Sequence, residues 1–134
     1  MSRHLLYCDG ASRGNPGPSS IGFVLYDPTG IVIHELGGVI GKATNNVAEY
    51  RALISGLESA LERNVRSLEV RLDSQLLVRQ VTGEYRVKAT GLKPLAREAV
   101  RLLRSFDEVE VIHVPRAQNQ RADGLANAAL DGDV

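Results

Sequence analysis

Four carboxylates, Asp9, Glu49, Asp73 and Asp123, each end or flank a different apolar segment, where a merely solvated charge has little reason to sit. Asp9 closes the run Leu5-Leu6-Tyr7-Cys8, and Glu49 lies on the apolar stripe of a helical pattern. Asp73 follows Leu68-Glu69-Val70-Arg71-Leu72, and Asp123 heads an alanine- and leucine-rich stretch. If the four meet in space they form one strongly acidic pocket. Like carboxylates at close range stay ionised together only when cations neutralise them. Oxygen-only ligands suit Mg²⁺ or Mn²⁺ rather than zinc, so the set points to a metal-dependent enzyme.

Each acid also has a plainer use. Asp9 precedes Gly10 and can open a turn; Asp73 can cap the helix that follows it. Asp123 can be a first-turn residue favoured by the helix dipole. Glu49 precedes Leu53 by four residues and so shares its buried stripe, where an unpaired carboxylate costs several kcal/mol or takes up a proton. One such residue is ordinary; four across one chain argue for a site.

The elements that must position them follow from patterning. A strand is predicted over 3–9, and then the glycine- and proline-rich stretch 10–20, which local rules exclude from helix and regular strand. Strands over 21–26 and 31–41, joined by the turn Asp27-Pro28-Thr29-Gly30, form an antiparallel hairpin. Asn45 or Asn46 caps a helix reaching about residue 63, on which Ala52, Leu53, Gly56, Leu57, Ala60 and Leu61 recur at helical spacing. Beyond it come a strand over 66–72, a short helix over 74–81, a loop over 83–91, a helix over 92–105, a strand over 109–114 and a last helix over 118–130. The order β-β-β-α-β-α-α-β-α implies an α/β fold, a mixed sheet with helices on its faces.

At 134 residues and 43% hydrophobic content the chain is one domain, expected over 1–130, with 131–134 as a short tail or the start of a linker. The single cysteine, Cys8, excludes an internal disulfide and is expected to be a buried strand residue. Met1-Ser2-Arg3-His4 opens neither a signal nor a transit peptide, and no apolar run approaches the roughly 20 residues of a membrane helix. A cytoplasmic monomer is the expectation. Net charge is zero, yet residues 71–104 carry eight Lys/Arg against three acids. A basic segment beside an acidic pocket suits a polyanion held by its phosphates, although an unevenly charged surface explains the same count.

The segments 7–18 (YCDGASRGNPGP), 44–50 (TNNVAEY), 72–75 (LDSQ) and 119–123 (NQRAD) resemble the four motifs of type 1 ribonucleases H, in the family's order and over nearly the whole chain. The resemblance implies the ribonuclease H fold, a five-stranded mixed sheet whose first three strands are antiparallel. It also implies hydrolysis of the RNA strand of RNA/DNA hybrids, leaving 5′-phosphate and 3′-hydroxyl ends. Two Mg²⁺ ions, with Mn²⁺ as the alternative, would be held by the four acids: Asp9 bridging both, Asp123 at the ion that activates water, Glu49 and Asp73 at the ion that stabilises the leaving oxygen. By the same resemblance Gly10, Ser12, Asn15, Asn45, Asn46 and Gln75 would contact the hybrid in its minor groove. Thr44, with Lys42, would hold a phosphate of the DNA strand.

Two departures from the family pattern stand out. The basic handle that longer members insert between the middle helices is absent, its place taken only by 83–91. Lys93, Arg97, Arg101 and Arg104 fall within about a quarter of a helix circumference. With Arg86 and Lys88 they are candidates for part of the lost grip, or a plain solvated face. A loop histidine thought to help product release is also missing, and Arg116 is the candidate stand-in. His113 lies in the last predicted strand and is read as structural. The rival readings are a hybrid-binding module with weak catalysis, and the nuclease domain of a longer polypeptide that also acts on double-stranded RNA.

Overall fold

Strict alternation in the first apolar run puts Leu6 and Cys8 on one face of a strand and Leu5, Tyr7 and Asp9 on the other. The computed structural model, which describes residues 3–132, shows that strand at the centre of one mixed sheet. The elements are β1 (His4–Ser12), β2 (Gly17–Tyr26), β3 (Val32–Ala43), α1 (Asn45–Glu62), β4 (Ser67–Leu72), α2 (Gln75–Val81), α3 (Lys93–Leu103), β5 (Glu108–His113) and α4 (Gln120–Leu130), with a 3₁₀ turn at Arg116–Gln118. The sheet order is β3-β2-β1-β4-β5. β2 pairs antiparallel with both β1 and β3, and β4 and β5 run parallel to β1. This is the five-stranded α/β sheet with its first three strands antiparallel that was expected. Residues 133 and 134 of the predicted tail, and the first two residues of the Met1–His4 opening, lie outside the described range.

The core joins Leu6, Cys8, Phe23 and Leu25 of the sheet to Tyr50, Leu53 and Leu57 of α1 and to Ala99 and Leu102 of α3. On the opposite face α4 packs across β2, β3 and β1. Two glycines set how closely the helices approach. A Cβ on Gly10 would lie 2.7 Å from the Ala48 carbonyl oxygen, and one on Gly22 2.8 Å from the Ala126 nitrogen. Gly22 is the register partner of Asp9. The bare backbone at these two positions brings in α1 at Glu49 and α4 at Asp123, one helix on each face.

Three local expectations change. The stretch 10–20 is mostly strand: β1 runs on to Ser12 and β2 starts at Gly17, pairing Gly10 with Ile21 and Ser12 with Ser19. Tertiary pairing overrides the local glycine and proline signals, and only 13–16 is left as a turn. The cap of α1 is neither Asn45 nor Asn46 but Thr44, in extended geometry, whose hydroxyl accepts from the Val47 N–H at 3.3 Å. Asp73 does not cap α2; Ser74 does, accepting from the Leu77 N–H at 3.2 Å, and Asp73 is left free for other work. No helix among the described residues is long and apolar enough to cross a membrane.

Candidate active site

The parallel ladder between β1 and β4 ends at the pair Cys8–Leu72. Asp9, still on β1, and Asp73, just past the end of β4, each follow that last pair, so they emerge side by side where the two backbones part. β1 continues past Asp9 only because β2 still pairs with it, which leaves the carboxylate 7% exposed within the fold. α1 brings Glu49 over Gly10, and ligand oxygens of Asp9, Glu49 and Asp73 all lie within 4.8 Å of one another. Asp123, in the first turn of α4, approaches Asp9 from the other face. All four acids line one cavity of about 370 Å³. The plainer readings of Asp9 as a turn opener and Asp123 as a solvated first-turn residue therefore do not hold.

The electrostatics are those of an acidic site short of positive charge. Burial first, then the adjacent Asp123 carboxyl and the charges of Asp73, Asp123 and Glu49, push Asp9 up to about 9. Burial likewise raises Glu49 to about 7, with the Asp73 charge adding to it and polar contacts from Ser74 and Asn45 opposing. Asp9 thus holds a proton at neutral pH unless a cation displaces it. Three carboxylates within reach of one point, a fourth alongside, and no nitrogen or sulfur donor among them make a set that fits Mg²⁺ or Mn²⁺. Cys8, 2% exposed, faces the core; burial and the neighbouring Asp9 charge push its thiol up, so it is inert.

Of the predicted substrate contacts, Gly10, Ser12, Asn45 and Arg116 line the cavity. Arg116 is 82% exposed and its guanidinium stands 3.9 Å from Asp123 Oδ1. Asn15 braces Asn45, its Oδ1 accepting from the Asn45 N–H at 3.0 Å. Ser12 is committed in part to the frame, donating to the Ala43 carbonyl at 2.9 Å. Lys42, Thr44, Asn46 and Gln75 are exposed outside the cavity lining. Lys93, Arg97, Arg101 and Arg104 do share one face, a groove with Val87, Ala96 and Val100 on its floor. Arg101 is spoken for by two bonds to Glu98, at 2.8 and 2.7 Å, while Arg86 and Lys88 are exposed beside the groove rather than in it. His113 ends β5 exposed.

Two asparagines had drawn no role of their own from the sequence. Asn119 is 1% exposed and donates from Nδ2 both to the Cys8 carbonyl, 2.9 Å, and to Asp73 Oδ2, 3.0 Å, tying β1 to the neighbouring carboxylate. Asn127 donates to Asp123. The signal for Asn127 was present in its spacing of four from an aspartate on one helix. Asn119 acts across 111 positions of chain, which no local pattern shows.

Residues 7–129 match the family described as reverse transcriptase-like. Ribonuclease HI of Halobacterium salinarum is 50% identical over 125 residues, covering 93% of this chain and 63% of that protein. A bifunctional protein of Mycobacterium tuberculosis is 43% identical over 128 residues, covering 95% of this chain and 35% of that protein. The chain thus spans less than two thirds of the length of either relative. Among solved structures, ribonuclease H1 of Halobacterium salinarum superposes with a TM-score of 0.94 at 48% identity, covering 97% of this chain and 98% of that one. LC11-RNase H1, solved in complex with an RNA/DNA hybrid, gives 0.90 at 41% identity, with 97% and 98% covered.

Proposed function

The chain belongs to the type 1 ribonuclease H family, and from that premise we propose that it is an endonuclease hydrolysing the RNA strand of RNA/DNA hybrids. The observation that carries this reading is the convergence of Asp9, Glu49, Asp73 and Asp123 on one cavity, beside polar groups able to read a nucleic acid. Similarity to a ribonuclease H1 solved with an RNA/DNA hybrid supports the choice of substrate.

The four acids would hold two Mg²⁺ ions, with Mn²⁺ as the alternative. Such ions supply charge that stabilises both the attacking and the leaving oxygens of an in-line displacement at phosphorus, giving 5′-phosphate and 3′-hydroxyl ends. The protein's own contribution is preorganisation. Asp9 is fixed in a paired strand and Asp73 is held by Asn119, so neither carboxylate need reorder when the substrate arrives. Asn45, Ser12 and the backbone at Gly10 border the cavity where a minor groove would present 2′-hydroxyls, the group that distinguishes RNA from DNA. Arg116, next to Asp123, is placed to meet a phosphate. Thr44 and Lys42 would take a phosphate of the DNA strand.

An end-labelled panel of RNA/DNA hybrid, double-stranded RNA, double-stranded DNA and single strands, each with Mg²⁺ or Mn²⁺, tests the reading. The expected result is cleavage confined to the RNA strand of the hybrid. Equal cutting of double-stranded RNA would remove the hybrid specificity, and an intact hybrid under both metals would remove the nuclease.

A further inference from the structure

Asn127 lies one turn beyond Asp123 on α4 and reaches back to the carboxylate cavity. Its Nδ2 donates to Asp123 Oδ1 at 3.1 Å and to the Asp123 carbonyl at 2.9 Å. From the other side, Arg13 Nη2 donates to Asn127 Oδ1 at 3.3 Å while Nη1 pairs with Asp131 Oδ1 at 2.6 Å. A guanidinium only donates, so the amide oxygen has to face Arg13 and the NH₂ has to face Asp123. Arg13 belongs to the turn between β1 and β2, and Asp131, assigned from the sequence to a short tail or the start of a linker, is the C-cap of α4. One connected set of side chains therefore runs from that turn, through Asn127, to a cavity carboxylate.

We propose that Asn127 is a positioning residue for Asp123 and that the Arg13–Asp131 ion pair locks its amide in the donating orientation. The proposal rests on the reading of Asp123 as a holder of a divalent cation. Asp123 Oδ1 has a rival partner in Arg116, whose Nη2 stands 3.9 Å away. Without the Asn127 donor the carboxylate is free to turn toward that guanidinium and away from Asp9. Partners that orient a metal-holding side chain typically tune metal affinity by about 10–100-fold.

Calorimetric titration of the full chain with Mg²⁺, on wild type, Asn127→Leu and Asp131→Asn, tests this, with thermal melting to check folding and kcat and KM for the hybrid measured across Mg²⁺ concentration. Leucine keeps most of the volume and removes the donor. The expected result is Mg²⁺ binding weakened about tenfold in Asn127→Leu, kcat recovered by added Mg²⁺, and KM for the hybrid unchanged. Asp131→Asn should move affinity in the same direction by less. Wild-type affinity in Asn127→Leu overturns the proposal. Should that variant fail to fold, Asp131→Asn at the surface decides, and unchanged affinity there overturns the lock. A wild type that shows the Asn127-dependent Mg²⁺ response but cuts no hybrid removes the hydrolase and leaves the positioning role standing; one that binds no Mg²⁺ removes both.

Discussion

Replacing Gly10 by alanine is a one-carbon change with a worked consequence. The new Cβ would lie 2.7 Å from the Ala48 carbonyl oxygen and closer still to Ala48 C and Glu49 N, all backbone atoms of α1 that no rotamer change can move. Restoring ordinary contact with the nearest of these atoms requires the start of α1 to retreat by about 1 Å, an overpacking of the kind that costs about 1–3 kcal/mol. The retreat carries Glu49 away from Asp9 and Asp73, whose ligand oxygens are gathered within 4.8 Å. A displacement approaching 1 Å at a reacting centre can cost about 100-fold in rate. Urea unfolding and kcat at saturating metal and hybrid measure the two effects. Gly124→Ala supplies the comparison: a Cβ there meets nothing within 4 Å, and the helix interior should gain up to about 1 kcal/mol. A Gly10→Ala protein that cuts at the wild-type rate would refute the claim that this glycine sets the distance between α1 and Asp9.

Asn119→Ala leaves the Cys8 carbonyl and Asp73 without their shared donor; a loss of about 1–3 kcal/mol in urea unfolding is expected, and an unchanged midpoint would mean the link carries no weight. Changing Lys93 and Arg97 together to glutamine should reduce the slope of log binding constant against log salt by up to about 2 for the hybrid, whereas an unaltered slope takes the α3 stripe out of the interface. Asp9 and Glu49 keep their protons in the fold where the unfolded chain has already released them, so in chelator the melting temperature should fall as pH rises from about 4 toward 9. Added Mg²⁺ should offset that fall. A melting temperature that rises over the same range in chelator would contradict the raised pKa values.

Much of this was legible in the residues, for physical reasons that also mark where legibility stops. Apolar alternation and helical spacing depend on one chain segment meeting one core, so β1, β4 and α1 could be drawn from pattern alone, and the acids stood out because they interrupt those patterns. The stretch 10–20 misled because glycine and proline report only local preference, while its strand character comes from pairing Gly10–Ser12 with Ser19–Ile21. The α1 cap was misassigned by one or two residues: both asparagines are good caps, and the choice depends on β3 running on to Ala43. Arg101 looked free in the basic stripe, although Glu98 three positions earlier was there to pair with it. Asn119 and Gly10 act through space, and nothing beside them in the chain announces it.

The central claim, that these four acids cut the RNA of a hybrid with bound metal, is met most directly by comparing wild type with Asp9→Asn on an end-labelled RNA/DNA hybrid. Cleavage and hybrid binding would be followed together as Mg²⁺ is titrated. The account predicts metal-dependent cutting of the RNA strand by the wild type, and an Asp9→Asn protein that binds the hybrid but does not cut it at any Mg²⁺ concentration. Cutting that persists in Asp9→Asn, or that proceeds in wild type after chelation, would contradict it.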